Sequence, residues 1–320
     1  MQVLDHVDAL PRGLRFVLVV GMFDGVHRGH QGVLRTTVRA AEAAGATAVA
    51  LTFDPHPAAV LRGAAPALLC HPAEKLERLD RAGIGIAVVC PFDARFADQS
   101  PEQFLLRLAE DRELSGIVMS SETAFGRDRA GTIAAVEALA PRLGFSVVRA
   151  PELALAGGRV SSSRIRDELG AGRLSTVRRL LGRDYAVAGT VVHGDARGRE
   201  LGYPTANLAF DEPVALPPDG IYAARVSWGG DELLAPVHWA LGVASLGVRP
   251  TFGLSSRTLE VHLFDFAGDL YDRRLRMEFV RYQRGERRFR SVEALIAQMD
   301  LDSARARRIL AASPIGPEAA

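Results

Sequence analysis

Gly21-Met22-Phe23-Asp24-Gly25-Val26-His27-Arg28-Gly29-His30 is the stretch on which the reading of this chain turns. It follows an apolar run over residues 15–20 and precedes a helical pattern over residues 29–44. Strand, glycine-rich turn and helix in that order predict one unit of a parallel α/β sheet. Gly21, Gly25 and Gly29 allow the backbone to come close to a ligand. The helix N-terminus adds unpaired N–H groups and the positive end of a dipole, which suits phosphate. Phe23 and Asp24 lie inside that turn. His27 and His30 are three apart, so both imidazoles fall on one side of the first helical turn. Such a pair can donate hydrogen bonds to a nucleotide's phosphates and stabilise a pentacovalent transition state without abstracting a proton. Alone, a His-x-x-His pair also fits a metal site or a structural turn.

The same alternation extends through the first half. Residues 47–53, 86–90, 117–119 and 146–149 read as strands, and residues 73–82, 101–111 and 133–143 as helices. A parallel sheet covered on both faces binds ligands at the C-terminal ends of its strands. Thr52-Phe53-Asp54-Pro55-His56-Pro57 ends the second strand, where prolines fix the loop. Arg159-Val160-Ser161-Ser162-Ser163-Arg164-Ile165-Arg166 opens a helix. Hydroxyls at a helix N-terminus flanked by arginines make a phosphate site; alone they are also an ordinary cap. The histidine segment resembles the His-x-Gly-His signature of the nucleotidyltransferase superfamily. That resemblance implies transfer of a nucleotidyl group with pyrophosphate leaving.

Near Asp184 the texture changes. Residues 185–192, 221–227, 238–246, 259–264 and 275–281 read as short strands separated by Gly/Pro turns such as Pro217-Pro218-Asp219-Gly220. This pattern predicts a small β-barrel. Residues 292–310 read as a helix with Val292, Leu295, Ile296, Met299 and Leu301 on its apolar face, and the Pro/Gly/Ala-rich tail 311–320 as frayed. The expected domains are 1–183 and 184–320.

Composition narrows the chemistry. The 320 residues suffice for two cores, and the net charge of +1 gives no field for a nucleic acid partner. Cys70 and Cys90 fit neither a metal spacing nor a disulfide framework. No signal segment and no apolar run of about 20 residues is visible, so no membrane association and a cytoplasmic location are expected. Lys75 is the only lysine and stands in Glu-Lys-Leu, which excludes a Walker P-loop. Phosphates must therefore meet arginines, histidines, hydroxyls, helix ends and metal.

In the second half His193-Gly194 runs through Gly202-Tyr203-Pro204-Thr205-Ala206-Asn207, a glycine-rich basic turn after a strand. Thr205 and Asn207, two apart, face the same side of an extended segment. Hydroxyl and amide oxygens are hard ligands suited to Mg²⁺ beside phosphates. Leu259-Glu260-Val261-His262-Leu263 alternates like a strand, with Glu260 and His262 on one face. Glu260 reads either as a base for an attacking hydroxyl or as an exposed edge-strand acid.

Taken together, the chain resembles the bacterial bifunctional riboflavin kinase/FAD synthetase family. The matching segments are Gly21 to His30, Thr52 to Pro57, Ser161 to Arg166, Gly194 to Asn207, Gly220 to Tyr222, Gly247 to Phe252, Glu260 to Leu263, Gly268 to Tyr271 and Glu286 to Phe289. The resemblance implies a nucleotidyltransferase-like, Rossmann-like α/β domain followed by a riboflavin-kinase β-barrel with a terminal helix. It implies phosphorylation of riboflavin to FMN in the second domain and adenylylation of FMN to FAD in the first. ATP is the co-substrate and Mg²⁺ the cofactor; an oligomer is possible. Implied catalytic residues are Glu260, His27 and His30. Implied nucleotide-binding residues are Gly21, Phe23, Asp24, Gly25, Gly29, Arg159, Ser161, Ser162, Ser163, Arg166, Gly194, Gly202, Pro204 and Thr205. Metal falls to Thr205 and Asn207, and flavin to Asp54, His56, Pro57, Phe125, Arg284 and Glu286.

The chain departs from the family where Gly-x-Asp/Asn-Phe-x-Phe-Gly is usual: Ser120-Ser121-Glu122-Thr123-Ala124-Phe125-Gly126 stands there. Ser163 replaces the usual Thr, and Arg249 replaces Asn before Pro250. An alternative reading is therefore a riboflavin kinase whose first domain only binds nucleotide. A third is a flavin-binding protein without turnover.

Overall fold

The computed structural model describes residues 1–194, 198, 201–251 and 254–312, with only the backbone for 249–251 and 254–256. The expectations on residues 195–197 and 199–200 of the glycine-rich turn, on Phe252 and on the tail from 313 lie outside the described residues. By internal packing the chain divides into two compact units, Met1–Pro66 with Lys75–Ser161 and Ala67–Glu74 with Ser162–Ala320.

The first unit holds a six-stranded parallel sheet in the order β1-β4-β3-β2-β5-β6. The strands are β1 (Gln2–Leu4), β2 (Arg15–Val20), β3 (Thr47–Phe53), β4 (Ile86–Cys90), β5 (Glu113–Met119) and β6 (Ser146–Arg149). Helices α1 (Arg28–Ala44), α2 (Pro57–Arg62), α3 (Pro72–Arg81), α4 (Ala94–Ala97), α5 (Pro101–Ala109) and α6 (Ile133–Leu143) come between them. Both sheet faces are covered, which explains why β2 and β3 read as unbroken apolar runs. Alternate residues supply two separate cores. Phe16, Leu18, Val49 and Leu51 pack with Phe104, Leu105 and Leu108 of α5. Val17, Val19, Ala48 and Ala50 pack with Leu34 and Ala41 of α1. The alanines of β3 leave room for α1, the helix that carries the histidine pair. A two-stranded hairpin, β7 (Ala154–Leu155) and β8 (Gly158–Arg159), leads toward the serine segment.

The second unit is built on a closed antiparallel barrel ordered β10-β13-β12-β11-β14-β9. Its strands are β9 (Tyr185–Val192), β10 (Ala206–Ala209), β11 (Gly220–Trp228), β12 (His238–Thr251), β13 (Leu254–Leu263) and β14 (Arg274–Arg284). Helices α7 (Ser162–Gly170) and α8 (Leu174–Leu181) precede it. Val177, Leu180 and Leu181 of α8 are fully buried.

A chain of buried charges of alternating sign crosses this unit. The Arg225 guanidinium donates to Asp184 at 3.0 Å and to Glu278 at 3.1 Å. Arg276 donates to Glu278 at 2.7 Å and to Glu74 at 3.2 Å. Arg183 stands 3.6 Å from the second oxygen of Glu74. Glu74 is 1% exposed and Arg276 3%.

The terminal helix, Val292–Ala311, corrects one expectation. Val292 and Leu301 are exposed, and Asp302, Ala306 and Leu310 at a spacing of four form its buried edge. Asp302 is held there because Arg284 of β14 donates to both of its oxygens, at 3.0 Å each. A paired carboxylate thus occupies a place the apolar pattern gave to hydrocarbon. β1, α2, α4, β7, β8 and β10 are too short to show periodicity in sequence.

Candidate active sites

The first candidate site lies at the C-terminal end of β2, in the turn to α1. Phe23 takes a left-handed conformation (φ 51°) and Gly25 a φ of 75°. His27 is the N-cap of α1: its Nδ1 accepts the His30 backbone N–H at 3.1 Å. That bond places the His27 ring proton on Nε2. The two imidazoles stack with centroids 3.6 Å apart and planes 14° from parallel, and Phe23 meets His30 edge-on at 5.4 Å. A Cβ at Gly29 would fall 3.1 Å from the His27 ring and 3.3 Å from the Val160 carbonyl oxygen, so glycine is required for this closeness. His30 Nδ1 is buried and has no hydrogen-bond partner among the described residues. Burial, helped by neighbouring His27, holds the His30 imidazole well below the usual histidine range, so it is uncharged at neutral pH. Asp24 is buried within the same turn.

Lys75, which sequence reasoning set aside, belongs to this neighbourhood. Its ammonium donates to Thr52 Oγ1 at 3.2 Å, and Thr52 Oγ1 donates to the Met22 carbonyl at 3.1 Å. The chain's one lysine therefore stands behind the glycine turn, a placement that only the β3–α3 packing creates. No local motif could have signalled it.

Of the other residues expected with this site, Asp54, His56, Pro57, Phe125, Arg159 and Ser161 lie in the first unit and Ser162, Ser163 and Arg166 in the second. Asp54 lines an open depression of about 570 Å³ with Val3, Leu4, Asp5, Val89 and Pro91, at the C-terminal ends of β1, β3 and β4. His56 caps α2 through Nδ1, accepting the Ala58 N–H at 3.0 Å, and Pro57 opens that helix. Phe125 is 7% exposed and packs on Phe104; Phe96 and Phe104 stand between it and Phe53. The divergent segment folds back on itself. Ser120 N–H donates to Thr123 Oγ1 at 3.0 Å, the two hydroxyls meet at 3.0 Å, and Glu122 pairs with Arg159. Ser161 ends the first unit, and α7 begins at Ser162 with Ser163 in its first turn. Arg166 donates through Nε to the Ala67 carbonyl at 2.7 Å.

The second candidate site is on the barrel. β10 and β13 are antiparallel, with Asn207 opposite Glu260. Opposed residues share a face with Cβ atoms about 5 Å apart. The Thr205 hydroxyl donates to Glu260 Oε2 at 3.2 Å. Hydroxyl, amide and carboxylate thus converge. Gly194 makes the space: a Cβ there would lie 2.4 Å from Asn207 Nδ2. Gly202 turns the chain before this segment at φ 80°, and Pro204 offers its carbonyl to His262 Nδ1 at 2.9 Å. The oxygen set fits a small hard cation bound beside phosphates. Of the flavin residues expected here, Arg284 commits its guanidinium to Asp302 and to the Gly285 carbonyl. The Glu286 carboxylate lies against Gly247, where a Cβ would fall 2.0 Å from it.

Comparison with known proteins agrees with both halves. The family model described as FAD synthetase matches residues 12–164, and the one described as riboflavin kinase matches residues 181–310. The bifunctional riboflavin kinase/FMN adenylyltransferase of Pseudomonas fluorescens is 37% identical over 300 residues, spanning 93% of this chain and 94% of that protein. The enzyme of the same description from Haemophilus influenzae is 34% identical over 287 residues, spanning 89% and 91%. Among solved structures, a Streptococcus pneumoniae protein described as a macrolide-efflux protein superposes with a TM-score of 0.84 at 28% identity, covering 95% of this chain and 98% of its own. No helix among the described residues of the present chain is long and apolar enough to cross a membrane. With two family models in series and relatives matched along nearly their whole length, the chain belongs to the bifunctional riboflavin kinase/FMN adenylyltransferase family.

Proposed function

We propose that residues 184–320 phosphorylate riboflavin and residues 1–183 adenylylate the product, so that one chain makes FMN and then FAD. The observation that carries the reading is the meeting of Thr205, just before β10, with Asn207 of β10 and Glu260 of β13. In the kinase step Glu260 takes the proton from the riboflavin 5′-hydroxyl as its oxygen attacks the γ-phosphorus of ATP and ADP leaves. Thr205 and Asn207 hold Mg²⁺, which neutralises charge on the phosphates. In the adenylyl step an FMN phosphate oxygen attacks the α-phosphorus of ATP and pyrophosphate leaves. No base is needed, because the nucleophile is already an anion. His27, through Nε2–H, and His30 bind the phosphates as charge develops, with the glycine turn and the N-terminus of α1 behind them. Arg159 and Ser161 of the first unit hold the distal phosphates. The matched segments, 12–164 and 181–310, support this division. Both substrates and ATP are metabolites of the cytoplasm, where the chain acts.

The test is direct. Purified protein with ATP and Mg²⁺ is given riboflavin or FMN, and the products are separated by chromatography. FMN from the first and FAD from the second are expected. FMN formation without any FAD would reduce the first unit to a nucleotide-binding domain.

A further inference from the structure

The strand that carries Glu260 carries a second side chain aimed at the same loop. His262 lies two residues on, on the same face of β13. Its Nδ1 is 2.9 Å from the Pro204 carbonyl oxygen. A carbonyl only accepts, so Nδ1 bears the proton and donates. The next residue, Thr205, donates its hydroxyl to Glu260 at 3.2 Å. β13 therefore grips two consecutive residues, Pro204 through position 262 and Thr205 through position 260. Tyr203 adds a third hold. Its ring packs on His262 with centroids 5.0 Å apart, and its hydroxyl donates to Asp300 of the terminal helix.

The backbone gives this arrangement its meaning. The proline ring already fixes φ of Pro204. The peptide that follows is planar, so the Pro204 carbonyl and the Thr205 N–H turn together. One soft torsion, ψ of Pro204, then decides where Thr205 points. The bond from His262 holds the carbonyl that reports this torsion.

We propose that His262 is a positioning residue for phosphoryl transfer, fixing the Pro204–Thr205 peptide so that the Thr205 hydroxyl meets Glu260 and the ATP-bound cation. The inference rests on the reading of Thr205 as a phosphate and metal ligand given above. His262 touches neither reacting atom; its effect passes through the loop.

The experiment uses the full chain with His262→Leu, His262→Asn, Thr205→Ala and the double variant Thr205→Ala/His262→Leu. FMN formation is measured against ATP and Mg²⁺ concentration, and FAD formation from supplied FMN in the same preparations. For His262→Leu, the KM for ATP and the half-saturating Mg²⁺ concentration rise and kcat for FMN formation falls, each by about tenfold. FAD formation stays within about twofold of the unaltered protein. Asn can place an amide N–H near the position of Nδ1, so His262→Asn recovers to within about threefold. The double variant is no worse than Thr205→Ala alone, because both changes remove the same arrangement. Unchanged ATP and Mg²⁺ dependence in His262→Leu would overturn the proposal. So would an Asn variant as impaired as Leu, or effects that add in the double variant. Full FMN formation by Thr205→Ala would instead remove the underlying reading of the site, and that outcome is read from a different variant.

Discussion

The two candidate sites use opposite local architectures for related phosphate chemistry. In the first unit the side chains are imidazoles on the opening turn of a helix, backed by a glycine turn at the end of a parallel strand. In the second they are an amide and a carboxylate on neighbouring antiparallel strands and a hydroxyl at the entry to one of them. The difference follows what each proposed reaction lacks. A phosphate monoester attacks as an anion, so its site has only to absorb charge on the nucleotide, and donors with a helix N-terminus do that. An alcohol must lose a proton, so its site needs an acceptor as well. Sharing one basic architecture would serve one of these steps badly. The burial of His30 fits the first: an uncharged imidazole there donates or accepts without repelling its stacked neighbour.

This contrast can be broken most sharply at Glu260. Glu260→Gln keeps the shape and removes the acceptor, so FMN formation falls by about 10³-fold while FAD formation from supplied FMN continues. Parallel assays on one preparation measure both, and equal loss of the two would refute the separation. At the other site His27→Asn is the more telling change. Asn can cap α1 as His27 does but lacks Nε2–H. FAD formation falls by about 10²-fold with thermal stability unchanged. His27→Ala loses activity and, in addition, about 1 kcal/mol of stability measured by denaturant unfolding.

The smallest effect concerns pH. Folding lowers the affinity of His30 for a proton. Below the ordinary imidazole value of 6.5, the unfolded chain therefore binds a proton that the folded chain refuses. Stability from this group is complete above that value and declines as pH falls through the window beneath it. The slope is at most about 1.4 kcal/mol per pH unit. Unfolding midpoints recorded between neutral and mildly acidic pH should show this slope, and a His30→Phe variant should lose it. An unaltered slope in the variant would mean that another group is responsible.

Much of this was legible in the sequence, and unevenly so. β2, β3, β4, α6, β6 and β9 begin and end where the pattern of residues places them, because apolar runs or helical spacing bounded by glycine or proline breaks mark their limits. The convergence of Thr205 and Asn207 with Glu260 is non-local. Sequence pattern put Thr205 and Asn207 on one face and Glu260 on another strand, but only the pairing of β10 with β13 brings them together. Lys75 and His262 show the limit from the other side. Their partners, Thr52 and the Pro204 carbonyl, are 23 and 58 positions away. Neither interaction leaves a trace in spacing or hydrophobicity. The terminal helix stands where the pattern puts it, but its buried face was misread for a third reason: apolar periodicity does not foresee a buried carboxylate paired with arginine.

The alternating charges that run from Asp184 through Arg225, Glu278 and Arg276 to Glu74 constrain how the barrel can change. Each member keeps a partner when another is neutralised, but the enclosed series is then left with one uncompensated charge, at a penalty of roughly 3–5 kcal/mol, whereas an apolar set replacing all of them together can be tolerated. Stepwise drift is therefore closed to these positions although a concerted exchange is open. Added electrolyte, which weakens contacts at the surface, reaches such an enclosed series poorly, so this part of the molecule should hold together in concentrated brine.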